Sequence, residues 1–402
     1  MFIQTRIPGR LFDEFTTVNV LFYLYFPGGG IGRYTAQLMP ELSALGATVE
    51  AAVVPDFQWR NSDGLSTWAG LKSISHAIPL RRKARFLIGQ FVNPHRLATR
   101  AKQFHPDIIH ICHINHLSYP AWERRFPKNG PLLAVSVHDV QRQKGILFKP
   151  WEAWQLKRIY RRADVLFVHG ENQAQDLVNF AGVDRTRVHV VPHGPYKYPA
   201  ANESREETRS RLGIPGNANV GLAFGLVRDE KNYDRLIEAL VHQPPDVHLL
   251  VAGNDVPKHR PHRHYQRLTE RLGVDDRVHF VSGFIPDEDV GNLFQASDWA
   301  ALTYSLSFTS QSGVLNSAVQ FGLPVLATPT AALSESLASF PIGVVCQSDS
   351  SAAISCGIDM ITKLLPESGQ LDFDTYLQDN SWQRNAKLTL NAYRKSIEGA
   401  AD

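Results

Sequence analysis

Arg228 and Lys231 stand three residues apart in Phe224-Gly225-Leu226-Val227-Arg228-Asp229-Glu230-Lys231, directly after an apolar run. Two cations in a strand-to-helix loop suit a diphosphate, because a guanidinium binds it bidentately and an ammonium acts as a point charge. A second anion site is read at Thr309-Ser310-Gln311-Ser312-Gly313-Val314. Small, hydroxyl-bearing residues at a helix start leave backbone amides for phosphate. N-capping by Ser310 or Ser312 is the plainer account of that segment, and it is compatible with phosphate binding. Two anion sites in one half of the chain point to a nucleoside-diphosphate ligand.

The other half carries a glycine cluster and several histidines. Gly28-Gly29-Gly30-Ile31-Gly32-Arg33 joins a strand to a helix, where backbone amides approach a ligand closely. A dinucleotide fingerprint breaks there, since Thr35 stands where the last glycine belongs, although Glu50 is placed to mimic a ribose-binding acid. His138-Asp139 and His193-Gly194 each follow a strand, where an imidazole can bond a hydroxyl or act as a base. A histidine satisfied by loop backbone fits both positions equally well. His110, His113 and His116, with Cys112 among them, do not share one face at this spacing, so no metal site is read. His259, His262 and His264 read as a solvated loop.

These groups need a framework to hold them. Val18–Tyr25, Thr48–Val54, Ile108–Ile111, Leu132–Val137, Val165–Val168 and Val188–Val191 read as strands alternating with helical or polar stretches. After a linker at Pro195–Asn217 the pattern repeats. Strands are expected at Val220–Leu226, Val247–Ala252, Val278–Val281, Trp299–Leu302 and Pro324–Ala327, with helices at Tyr233–Leu240, Asp287–Ala296 and Gly313–Phe321. Ser381–Ile397 reads as a last helix with Trp382, Leu388 and Tyr393 among its apolar positions. Near-continuous apolar strands alternating with helices predict parallel sheets covered on both faces. The expected fold class is therefore α/β, two tandem doubly wound Rossmann-like domains facing a cleft. The first spans residues 1–195 and receives the helix at 381–398; the second spans 196–380.

Composition sets the outer limits. The chain has 402 residues, 43% hydrophobic and 20% charged, which excludes disorder over most of its length. Its three cysteines have no framework spacing and suit a reducing, cytoplasmic setting. Arg6, Arg10, Asp13 and Glu14 interrupt the N-terminus, so no signal-peptide core is read there. Residues 1–200 hold 25 Lys+Arg against 14 Asp+Glu, while residues 201–402 hold 17 against 25. The halves thus differ in sign, which suggests different partners. Seven cations fall at 81–102 with no acid (Arg81, Arg82, Lys83, Arg85, Arg96, Arg100, Lys102), interleaved with Phe86, Leu87, Ile88, Phe91 and Val92. That stretch suits an anionic membrane surface or a lipid-diphosphate, and equally a solvated helix face. No nucleic-acid motif accompanies it.

The order of motifs resembles the GT-B fold nucleotide-sugar glycosyltransferases, particularly the large family 4 group. The resemblance rests on Gly28–Arg33, Val137-His138-Asp139, Val191-Pro192-His193-Gly194-Pro195-Tyr196, Phe224–Lys231, and Gln311-Ser312-Gly313-Val314 with Gly322-Leu323-Pro324-Val325. It implies His138, Arg228 and Lys231 as catalytic groups. It also implies donor binding by Gly29, Gly30, His193, Gly225, Gly283, Phe284, Thr309, Gln311, Ser312, Gly313, Val314 and Ser317. Within these roles, His138 lies by the reacting sugar, Arg228 and Lys231 clamp the diphosphate, and backbone at Gly283-Phe284-Ile285 holds the base. Most of the family carries two glutamates eight residues apart; counting back from Gly322, those positions hold Thr309 and Ser317 here. Asn316 or Gln311 are candidates to supply an amide instead.

The function expected is transfer of a hexose-type sugar from a nucleoside-diphosphate sugar to a hydroxyl of a lipid-linked or polysaccharide-precursor acceptor. No metal or further cofactor is expected, nor a nucleic-acid partner, and the site of action is the cytoplasm or the inner membrane face. A sugar-nucleotide epimerase on the same fold and a non-catalytic nucleotide-sugar-binding subunit stay open beside it. The first would need carboxylates in the cleft, and the second fits their loss.

Overall fold

The computed structural model describes residues 17–400 apart from 115–116, 118, 120–122, 128, 142–147, 366–368 and 370. The chain divides into two compact units, one running up to His193 and resuming at Ser381, the other spanning Gly194–Asn380.

The first unit is built on a parallel sheet of β1 (Asn19–Leu24), β2 (Thr48–Val53), β3 (Thr67–Trp68), β4 (Ile108–Ile111), β5 (Leu132–Ser136), β6 (Val165–Val168) and β7 (Val188–Val190). Their order is β3-β2-β1-β4-β5-β6-β7, so the order reverses between β1 and β4. Ligands of doubly wound sheets bind beyond the carboxyl ends of the strands at such a reversal. The helices are α1 (Gly30–Ala44), α2 (Pro79–Phe104), α3 (Lys149–Arg162) and α4 (Glu171–Ala181). In α1, Tyr34, Leu38 and Leu42 recur at helical spacing and are buried, as that pattern requires.

The second unit repeats the arrangement. After α5 (Arg205–Leu212) come β8 (Asn219–Phe224), α6 (Tyr233–Leu240), β9 (Val247–Gly253), α7 (His262–Leu272), β10 (Val278–Ser282), α8 (Asp287–Gln295) and β11 (Trp299–Leu302). Then follow α9 (Gly313–Gln320), β12 (Val325–Ala327), α10 (Ala331–Ser339), β13 (Gly343–Val345), α11 (Ser351–Leu364) and α12 (Phe373–Asp379). The sheet runs β10-β9-β8-β11-β12-β13, parallel throughout and again reversing beside its first strand. Both faces are covered. Ala300 and Leu302 pack into one apolar cluster while Trp299 and Ala301 pack into the other. Two buried faces are why β11 reads as an unbroken apolar run.

The segment expected as a bare linker at 195–217 contains α5. Ser204 and Glu207 form a reciprocal capping box at its start. Its buried residues are the polar Thr208 and Arg209, and the Arg209 guanidinium pairs with Asp298 at 2.8 Å and donates to the carbonyls of Ala296, Gly216 and Ala218. The helix therefore lacks the apolar periodicity by which a helix is read.

The last helix, α13 (Trp382–Glu398), belongs to the first unit. Trp382 and Tyr393 are buried there, whereas Leu388 is exposed, against expectation. Asn385 donates to the Tyr34 hydroxyl at 2.8 Å and to the Pro192 carbonyl at 2.5 Å.

Candidate functional site

In the second unit, β8 is followed by Gly225, whose φ of 98° suits glycine alone. A Cβ there would lie 3.1 Å from Lys231 Nζ and 3.7 Å from Val314, so the cation, the glycine turn and the start of α9 meet at one point. Lys231 Nζ donates to the Phe224 carbonyl and lies 5.8 Å from the centre of the Tyr304 ring. The loop is held by the exit of β11, since Thr303 Oγ1 donates to the Lys231 carbonyl at 3.2 Å and Ser305 N–H to that of Glu230 at 2.8 Å. Burial lowers the Lys231 ammonium to about 7, with the neighbouring Arg228 adding to the effect. Arg228 is more exposed, its guanidinium 3.8 Å from the Glu230 carboxylate.

Ser312 stands at the N-cap of α9 but does not cap it. Its hydroxyl pairs instead with the Tyr304 hydroxyl at 2.9 Å. The amides of Gly313 and Val314 open the helix, where no intrahelical acceptor exists for them. Gly313 is required by packing, because a Cβ would sit 2.9 Å from the Tyr196 ring. This corner can bind an anion through Lys231, the helix amides and Arg228.

Other expected donor-binding residues of this unit fare differently. Gly283 follows β10, Phe284 is 71% exposed, Thr309 is exposed and Gln311 half-buried. Ser317 is buried, its hydroxyl donating to the Gly313 carbonyl at 3.0 Å within its own helix. Asn316 is buried too, and its side-chain carbonyl accepts from Tyr376 at 2.5 Å. His262 and His264 do not lie in a solvated loop either. Both belong to α7, and His262 is buried against Asp255, Nδ1 to carboxylate 2.7 Å.

In the first unit, Gly29 and Gly30 start α1, with the Gly29 carbonyl accepting from Arg33 N–H at 3.1 Å. One turn on, Tyr34 presents its ring to His138, His169 and His193 at centroid distances of 5.1, 5.1 and 5.2 Å. Trp382 of α13 closes the group at 5.0 Å from Tyr34. His138 and His193 are thus brought together with a third histidine that sequence reasoning missed. Its signal was present: the adjacent strands β5, β6 and β7 each run out into a histidine within three residues.

Glu50 does not face a ribose site. It lies in the middle of β2 and forms a two-point pair with Arg100 of α2, at 2.8 and 2.6 Å. His110 is a core residue, stacked between Phe22 and Phe167 and bonded to Ser136 at 2.7 Å and to Tyr393. Burial drops its pKa to about 3. His116 lies outside the described residues, as do Arg6, Arg10, Asp13 and Glu14. Among the described residues, no group of three or more His, Cys, Asp or Glu is placed to hold a metal, and no helix is long and apolar enough to cross a membrane.

Residues 28–194 match the family model Glycosyltransferase Family 4, and residues 204–370 match Glycosyl transferases group 1. The chain belongs to the group 1 glycosyltransferases of GT-B fold. It is 28% identical over 215 residues to a D-inositol 3-phosphate glycosyltransferase of Xylanimonas cellulosilytica, covering 50% of this chain and 51% of that protein. To the lipopolysaccharide glucosyltransferase WaaG of Escherichia coli it is 30% identical over 222 residues, 51% of this chain and 56% of the other. The chain thus spans about half the length of these curated relatives in the match. The fold is shared with a sucrose-phosphate synthase from Thermosynechococcus elongatus, with a TM-score of 0.74 at 16% identity over 95% of this chain and all of that one.

Proposed function

We propose that this protein transfers a hexose-type sugar from a nucleoside-diphosphate sugar to a hydroxyl of a lipid-linked or polysaccharide-precursor acceptor. The observation that carries the reading is the meeting of Lys231, Gly225 and the open start of α9, with Arg228 at its edge. A leaving diphosphate gathers charge as the glycosidic bond breaks, and preorganised cations and amides stabilise that charge without reorganising. With the Arg228 guanidinium, the α9 amides and a Lys231 ammonium that charges as the diphosphate binds, the reaction is proposed to need no metal. The second unit takes the donor, with backbone at Gly283-Phe284 against the base and Gln311 and Thr309 near the sugar. The first unit takes the acceptor and also contributes Gly29, Gly30 and His193 to the donor and His138 to the reacting sugar. Retention of anomeric configuration is proposed by likeness to the family.

A second reading, a nucleotide-sugar-binding subunit without turnover, is favoured by one feature only. Thr309 and the inward-turned Ser317 hold the positions of the missing glutamates. Calorimetric titration with UDP, GDP, ADP and TDP, in EDTA and in excess magnesium, followed by turnover of the matching sugar conjugates, separates the two. Tight binding with turnover in EDTA is expected. Binding of a nucleotide without turnover of any of its sugar conjugates would favour the subunit. Arg228→Ala and Lys231→Ala should each abolish turnover while leaving the thermal transition in place; unchanged turnover in both removes the diphosphate assignment.

A further inference from the structure

His169 lies beyond β6 with its Nδ1 3.1 Å from the Val191 carbonyl and its Nε2 3.1 Å from His138 Nδ1. A carbonyl only accepts, so His169 Nδ1 must carry the proton. In the neutral ring His169 Nε2 is then a lone pair, and it accepts from His138 Nδ1–H. The proton on His138 is thereby fixed at Nδ1, and its Nε2 is left as an acceptor. That Nε2 is buried and meets no hydrogen-bond partner among the described residues. A buried acceptor left unmatched forfeits the hydrogen bond it made to water, so its absence of a partner calls for an explanation.

The relay is braced as a unit. Gln173 of α4 donates to the carbonyls of Val137 and His138 at 2.9 and 2.8 Å, and its side-chain oxygen accepts from His169 N–H at 2.8 Å. One amide side chain thus ties the backbone of both histidines together, while Tyr34 covers both rings.

We propose that His169 is a positioning residue which holds His138 in the Nδ1–H form, so that His138 Nε2 takes a hydrogen bond from a hydroxyl of the substrate. This rests on the transferase reading for the identity of the substrate, but not for the proton's location. An Nε2 lone pair repels phosphate and carboxylate oxygens, so the first unit's histidine group and the second unit's cationic corner select opposite partners, a hydrogen-bond donor and an anion.

The test is long-range ¹H–¹⁵N correlation on the histidine-labelled full chain, which reads each tautomer without any need for turnover. His138 is expected protonated at Nδ1 in the wild type and in His169→Gln, whose amide can both donate to Val191 and accept from His138. In His169→Leu it is expected to shift toward Nε2–H, with kcat falling on the order of 10²-fold and the nucleotide KM unchanged. A wild-type His138 protonated at Nε2 overturns the proposal, as does a folded His169→Leu with unaltered tautomer and kcat. Should His169→Leu not fold, the wild-type and His169→Gln spectra still decide. An Nδ1 proton with no sugar transfer from any donor would sink the transferase reading and support the relay alone.

Discussion

Lys231 carries a prediction whose sign follows from its surroundings. Burial lowers its ammonium to about 7, so at pH 8 the free protein holds it largely neutral. A diphosphate placed beside it favours the charged form, and binding must then take up a proton. Affinity should weaken as pH rises from 7 to about 9, and calorimetry in two buffers of different ionisation enthalpy should show the uptake. Lys231→Met should abolish it, whereas equal heats in both buffers for the wild type would mean the ammonium is already charged. The same depression bears on stability. The unfolded chain binds more protons than the folded one between about 7 and the ordinary 10.5, so this group's contribution rises with pH across that window. Arg228 and Lys231 were legible as a pair because both cations fall in one short loop after a strand. His169 was not singled out, although it repeats the strand-then-histidine pattern of His138, because a buried relay leaves no charge or glycine signal in the sequence.

Two helices bear predictions of their own. In α5, Arg209→Leu leaves Asp298 and three carbonyls without their guanidinium, and should cost about 3 kcal/mol in chemical denaturation. A loss below about 1 kcal/mol would mean that Arg205, also paired with Asp298 at 2.6 Å, compensates. In α2 the first turns stand clear of the core. Leu80, Leu87, Ile88 and Phe91 are 77%, 53%, 45% and 57% exposed, and their spacing puts them on one face. Arg81, Arg82 and Lys83 share its first turns and are exposed too, whereas Arg85, Arg96 and Arg100 are engaged with Ser75, Gly70 and Glu50. This helix is proposed to lie on an anionic membrane surface, the apolar stripe in the interface and the cations on headgroups. Sedimentation with phosphatidylglycerol vesicles should capture the protein at low salt and lose it with Leu87→Glu plus Phe91→Glu. Equal capture by neutral phosphatidylcholine would remove the electrostatic part. The boundaries of α6 and β11 were readable to the residue because each is a strongly patterned apolar segment. The interior of 195–217 was not, since α5 buries a guanidinium in place of a leucine stripe.

At the scale of the molecule, both units repeat one topology, a six- or seven-stranded parallel sheet reversing beside its first strand. The alternation of apolar strand and helix made that architecture visible in advance, while the pairing order had to come from three dimensions. The first unit is discontinuous along the chain: Tyr393 of α13 bonds His110 in β4, and Trp382 seals Tyr34. On a ribosome, the second unit has all its strands in hand while the first still waits for its closing helix. The fold begun earliest is finished last, and until then the Tyr34 and His110 surfaces that α13 covers stand open. A nascent or truncated chain ending near Asn380 should accordingly be a target for chaperones and for proteolysis confined to its N-terminal half.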